Sequence, residues 1–294
     1  MSAPLNWLLL CRFVFDGAVL FLWGATIFLT TLVPGELRRG IWQRLAGWRR
    51  TAVLGTMAAT LLSLPVHTAI VGAGWSDAMD LAMLASVAGQ TTIGMAWWCQ
   101  VAGCAVLLLL ACRSSRFVPQ WTAVVTAWLL ASLAVTGHAA MGEGGRGLAH
   151  QANDVIHVLA AGAWFGALPV VACLLACLQV PEQALPAQKA LIRFSTAGHG
   201  VVVIVVLSGV VNVLTITGRF SLLWTSPYLR FLAVKVAVVA AMVLLAIVNR
   251  YVLVPRMRHS TSASHYFYRG VQAEVVLSLM AVLAVAGFGM LDPG

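Results

Sequence analysis

An all-α bundle of eight membrane-spanning helices is the fold class the sequence predicts, and three observations predict it. Charged residues make up 9% of the 294 and hydrophobic ones 61%, where a soluble domain has roughly a quarter of its residues charged. Mean hydropathy is +0.93, and 11 Trp with 26 Gly match the bias of membrane helices and their interfaces. Runs long enough to cross a bilayer recur along the chain, since a helix rising 1.5 Å per residue needs about 20 apolar residues for roughly 30 Å of hydrocarbon.

The first run, 5–33, resembles a signal peptide only superficially. It is too long, carries Arg12 and Asp16 inside it, and has no small-x-small cleavage site, so it is expected to stay as the first span. Spans at 50–73, 94–112 and 117–139 follow, with the short, mixed stretch 76–92 expected as a loop with an interfacial helix. The second half supplies 150–178, 191–217, 228–254 and 268–291. No repeat or linker divides the chain, so a single transmembrane domain over 1–294 is expected.

Basic residues orient the bundle. The first connection holds Arg38, Arg39, Arg44, Arg49 and Arg50, the third Arg113 and Arg116, the fifth Lys189 and Arg193, and the seventh Arg250, Arg256, Arg258 and Arg269. The other side has Arg12, Arg146, Arg219 and Arg230. The first set therefore belongs in the cytoplasm and both termini in the periplasm of a bacterial inner membrane. The net charge of +9 is spent on short loops, which excludes nucleic acid as the partner and leaves membrane lipid. The six cysteines all lie in or beside apolar runs, as helix-packing thiols do and a disulfide framework does not.

Each charge near mid-membrane costs about 2.5–3.5 kcal/mol on insertion scales, so such residues face the bundle interior and pair. The expected outer half holds Arg12 and Asp16, His67, His138, His150, Asp154, His157 and Lys235; the inner half holds His199 and Glu274. At 100° per residue His150, Asp154 and His157 share one face of the fifth span, while Gly162 and Gly166 form a close-packing face on the other side. His150 and His157 are seven residues apart, about 10 Å along the axis, too far to chelate one ion together. One of them with ligands from other helices is the expected site, His138 and Met141 across the "GEGGRG" turn being nearest. Asp154 suits an outer role, accepting the imidazole N–H that faces away from the metal. Imidazole with thioether suits Cu(I), whereas imidazoles alone also suit Cu(II) or Zn. Haem iron accepts the same ligands, so a b-type haem held by two of His67, His138 and His157, exchanging electrons with quinone, is the alternative.

The bland readings are specific too. Arg12 and Asp16 at i, i+4 can simply neutralise each other. Lys235 can pair with Asp16 or Asp154, or relay protons. His199 is expected to pack or to pair with Glu274, and Met79, Met83 and Met95 to pack at the membrane interface rather than gather metal.

The segments "TGHA" (136–139), "DVIHVLAAGAWFGAL" (154–168), "RFS" (193–195), "SGVVN" (208–212), "LAVKVAVVAAMVLLAIVNRYVLVP" (232–255) and "VQAEVVLSLMAVLAVAG" (271–287) resemble, in this order, the copper resistance protein D family (CopD/PcoD). The resemblance implies an inner-membrane protein of copper uptake, homeostasis or resistance that takes copper from the periplasmic side. It also implies a periplasmic copper-binding partner of the CopC type on a separate chain. It places His138 and His157 on the family's histidine positions, and Lys235, Arg250 and Glu274 on its later polar positions. His150, Met141 and His67 come from spacing and depth alone. A copper transporter rather than an enzyme is the expected function. With no nucleotide-binding loop in the sequence, movement would rest on a gradient or on the partner's affinity.

Overall fold

The structure, a computed structural model, describes residues 3–113, 115, 117–135, 144–217, 227–256 and 261–288. Among them there is no strand. The elements are α1 (Ala3–Thr31), α2 (Gly35–Arg44), α3 (Ala46–Val71), a 3-10 turn (Asp77–Met79), α4 (Leu81–Gln90), α5 (Thr92–Ala111) and α6 (Val118–Ser132) with a 3-10 end (Leu133–Val135). Then come α7 (Gly144–Cys177), α8 (Pro181–Thr217), α9 (Pro227–Val248), a π turn (Asn249–Leu253), α10 (Val254–Arg256) and α11 (Thr261–Phe288). Eight of these, α1, α3, α5, α6, α7, α8, α9 and α11, are long and apolar enough to cross a membrane, with α6 extended by its 3-10 end and α9 by the π turn.

The departures from expectation have local causes. The first connection is a helix, α2, rather than a bare loop, because Leu37 and Ile41 turn one face of "GELRRGIWQR" into the core. The stretch 76–92 does form a short helix, α4, whose first turn is capped by Asp80 Oδ1 accepting the Ala82 N–H at 2.8 Å. Thr91 Oγ1 accepts the Gly94 N–H at 3.0 Å and starts α5 in the same way. α8 begins ten residues before the expected 191, since Pro181 suits a first helical turn and the Ala, Glu, Gln, Lys and Leu that follow are good helix formers. α7 begins early as well, at Gly144, which holds φ +61. A side chain would be strained there, so the glycine-rich turn acts as expected.

α1 is the axis of the bundle, packed by α3, α6, α7 and α11. Its Val19, Leu22, Phe28 and Leu29 meet Leu129, Leu130, Leu168, Val170 and Leu174 in the core. The expected close-packing face of α7 lies against it. A Cβ added to Gly24 would come within 2.7 Å of the Gly166 Cα, and one on Gly166 within 2.7 Å of the Ala25 backbone nitrogen. Backbones this close need small residues, the usual means of helix association where lipid removes the hydrophobic drive. Trp23 Nε1 donates to the Leu159 carbonyl at 2.8 Å and fixes the register of the same pair. Cys177 is buried and accepts from Arg44 Nη1 at 3.3 Å, tying α2 to the end of α7. It serves as a packing thiol, in keeping with the reading of the cysteines.

α8 and α9 are attached differently. α8 leans on α7 and α9 on α11, but the two scarcely meet each other.

Candidate functional site

α7 carries His150, Asn153, Asp154 and His157 within two turns, and all four are withdrawn from the surface, His150 and His157 to 7% and 8% exposure. Across from them α8 presents Ser208, Gly209 and Asn212, at the spacing that puts Ser208 and Asn212 one turn apart on one face. The two helices interlock through hydrogen bonds. Asn153 Nδ2 donates to Asn212 Oδ1 at 2.6 Å and to the Ser208 carbonyl at 2.9 Å, and Asn212 Nδ2 donates to Asp154 Oδ1 at 3.0 Å. Gly209 leaves room for the His157 ring, whose Cε1 lies 3.3 Å from where a Cβ would stand.

The tautomer of His157 follows from its partners. Ser208 Oγ donates its proton to the Ile204 carbonyl one turn back, so its oxygen is left to accept. His157 Nδ1, 2.9 Å away, is then assigned as the donor, with the Val205 carbonyl also within hydrogen-bonding reach of the ring; in this tautomer Nε2 carries the lone pair. A ligating histidine almost always has its other N–H held in this way, which fixes ring orientation and raises basicity. Asp154, one turn from each histidine, was expected to accept an imidazole N–H; for His157 the hydroxyl of Ser208 stands in that place. Asp154 instead accepts from Asn212 and is electrostatically coupled to Lys235 of α9, which also lies within reach of His157. With the carboxylate and the ammonium balancing each other, neutral imidazole nitrogen is the donor the site presents. That favours copper or zinc over hard cations, which want anionic oxygen.

The remaining predicted residues are distributed over other places. Asp16 is buried on α1 and coupled to Arg12, and Arg12 is also within reach of the half-buried His67 on α3. These three make a second polar cluster at the α1–α3 interface. Glu274 on α11 is 4% exposed, with Oε1 accepting from Asn249 Nδ2 at 2.7 Å and Oε2 from Trp164 Nε1 at 3.5 Å. It does not pair with His199, whose Nε2 is bonded to the Tyr251 hydroxyl at 3.0 Å. His138 and Met141 lie outside the described residues. Among the described residues no three His, Cys, Asp or Glu side chains converge closely enough to hold an ion by themselves.

Asn153, Ser208, Gly209, Asn212 and Asn249 were not singled out as site residues from sequence. The signal for four of them was present: Asn153 sits beside Asp154 on the polar face, and the other three lie in "SGVVN". A lone Ser or Asn in an apolar run has no period to mark it, and only the opposing helix shows its use.

Eight long apolar helices with a buried imidazole bonded across two of them define a multi-pass membrane protein with a polar interior. Comparison with known proteins gives the family. A model described as Copper resistance protein D-like, N-terminal domain matches residues 1–148, and one described as Copper resistance protein D matches 188–288. The chain is 32% identical to Inner membrane protein YebZ of Escherichia coli (strain K12) over 98% of each chain. It is also 32% identical to Copper resistance protein D of Pseudomonas syringae pv. tomato, over 100% of this chain and 98% of that one. Copper transport protein CutJ of Bacillus subtilis (strain 168) is 28% identical over 85% of this chain and 47% of its own length. No solved structure matches. The chain belongs to the copper resistance protein D family and is a multi-pass inner-membrane protein.

Proposed function

We propose that this protein takes copper from the periplasmic side and passes it into or across the inner membrane, with His157 Nε2 as a ligand. The observation that carries this reading is the Ser208–His157 bond, which leaves a buried, oriented imidazole lone pair inside a bundle of the copper resistance family. His138 and Met141 complete the site in this reading, with His150 two turns toward the surface as the residue that hands copper in. Cu(I) is the species such a donor set prefers. The arginine-rich side is the cytoplasm, so His157 lies toward the periplasm, where a CopC-type partner would deliver its cargo. Lys235 and Asp154 keep the site near neutral as the ion enters, and Glu274 is the acidic group met further in.

Ser208→Ala tests the outer half of this arrangement. It leaves His157 in place but removes the hydroxyl that accepts from Nδ1–H, leaving the Val205 carbonyl as the remaining acceptor on α8, and loss of such a partner costs about 10–100-fold in metal affinity. Competition between purified protein and a Cu(I) chelator should show that loss, with Ser208→Thr close to wild type. Equal affinity in Ser208→Ala would refute the assigned tautomer. An absorption spectrum of the same sample bears on the whole reading: a stoichiometric Soret band would replace copper cargo by haem.

A further inference from the structure

Among the described residues, three carboxyls are withdrawn from the surface within the spans, Asp16, Asp154 and Glu274. Asp16 has Arg12 beside it and Asp154 has Lys235. Glu274, 4% exposed, meets two neutral donors instead, Asn249 Nδ2 at 2.7 Å and Trp164 Nε1 at 3.5 Å. The charges on the helices around it are placed elsewhere. Lys235 of α9 acts on Asp154 and His157, and Arg250 of the π turn lies 5.5 Å over the Tyr251 ring. Arg256 of α10 and His265 and Arg269 of α11 itself are exposed. A charge near mid-membrane costs about 2.5–3.5 kcal/mol, and intramembrane carboxyls are typical of ion and proton pathways. Two neutral hydrogen bonds, one of them long, do not cancel a charge, but a proton does.

Asn249 suits both forms of the carboxyl. As placed, its Nδ2 donates to Oε1, which serves an ionised Glu274. Its Oδ1 is buried without a partner, where a side chain on Gly270 would stand. A half turn of the amide brings Oδ1 to the carboxyl as acceptor for a protonated Oε1–H, since an amide offers both kinds of group. In either setting one amide atom lies against Gly270 unpaired, so neither setting is locked.

Glu274 also has a way out. A cavity of about 1470 Å³ is lined by Glu274, Asn249 and Trp164, and follows α7 past its end to Gln179. Cys177, just before that end, carries Arg44 of α2, so the cavity leads toward the arginine-rich side. Gln188, Ser195, His199 and Tyr251 on its walls supply the polar partners that water needs, at about 30 Å³ per molecule.

We infer that Glu274 is a proton-exchange site: it holds a proton while the interior carries no metal ion, and releases it along the cavity as a cation advances from His157. The inference rests on the copper reading for its trigger. Trp164 is seven residues beyond His157 on α7, about 10 Å, so a cation leaving the imidazole nears the carboxyl. The charges balance: the carboxylic acid becomes carboxylate and a proton passes to water, so one positive charge replaces another. The carboxylate acts as a countercharge, since Cu(I) selects soft ligands over carboxylate oxygen.

The test is infrared difference spectroscopy on the full chain in lipid bilayers, with and without one equivalent of Cu(I). The copper-free wild type should show a protonated-carboxyl band that shifts in D₂O and is absent in Glu274→Gln, which keeps the shape and the acceptor. Loading with Cu(I) should remove that band in the wild type. Asn249→Leu takes away the donor to the ionised form, and its band should persist on loading. Copper-free spectra that are the same for wild type and Glu274→Gln, or a band that does not shift in D₂O, would overturn the inference. So would a band that persists in wild type holding one Cu(I). A wild type that holds no Cu(I) would overturn the copper reading and the trigger with it, a result distinct from loss of the copper-free band.

Discussion

Replacing His157 by alanine is expected to lower copper affinity by at least about 100-fold, the upper end of what loss of a mere outer partner costs. The expectation follows from where the imidazole is and how it is held. It is 8% exposed on α7, seated against Gly209 and bonded through Nδ1 to Ser208 of α8. A ring fixed in this way offers Nε2 without paying rotamer entropy when the ion arrives. His157→Gln keeps a side chain of similar reach but lacks a fixed nitrogen donor, and it should fail as alanine does. His199→Ala is the control, because His199 is exposed and engaged with Tyr251. Chelator competition reads all three variants. Wild-type affinity in His157→Ala would place the site elsewhere, the α1–α3 cluster around His67 being the next to examine.

The second large effect concerns folding. Gly24→Leu is expected to prevent α1 and α7 from associating, so that the protein does not accumulate as a single folded species. A Cβ at Gly24 meets the backbone of Gly166 rather than a flexible side chain, so neither rotamer change nor local repacking can relieve the clash. Even Gly24→Ala should cost about 1–3 kcal/mol, the usual penalty of overpacking. Gly17, on the same helix, is the internal control: a Cβ there meets nothing within 4 Å, and Gly17→Leu should be tolerated. Fluorescence-detected size exclusion after membrane extraction reads the outcome. A monodisperse peak for Gly24→Leu at wild-type yield would show that the α1–α7 contact is not what organises the bundle.

Parts of this structure were legible in the sequence because they depend on one helix at a time. Hydropathy located every span, and the 3.6-residue period put His150, Asp154 and His157 on one face with Gly162 and Gly166 on another. The glycines are found against α1, and Asp154 and His157 against α8. Misreadings arose where the outcome depends on the azimuth of one helix relative to another. For His199 depth left packing or a pairing with Glu274 open; His199 turns to Tyr251 while Glu274 turns to Asn249 and Trp164. Asp154 lies one turn from both histidines of α7, but for His157 the hydroxyl beside Nδ1 comes from Ser208 of α8. α2 was missed because its apolar face is only Leu37 and Ile41, too little to stand out amid arginines. The π turn at Asn249–Leu253 has no sequence mark, although it brings Asn249 onto Glu274.

These errors share a cause with the successes. Insertion cost forces every intramembrane charge inward, so which residues matter is readable. Which of them meet is decided by helix packing, and the small residues that allow it, Gly24, Gly166, Gly209 and Gly270, are as much a part of the site's construction as the histidine.

The central claim, a copper ion on His157 inside the bundle, is tested most directly by X-ray absorption at the copper edge. The sample is full-length protein loaded with one equivalent of Cu(I). Imidazole scattering is expected in the wild type, diminished by one ring in His157→Ala and unchanged in His199→Ala. Identical spectra for wild type and His157→Ala, or a wild-type protein that retains no copper through desalting, would contradict it.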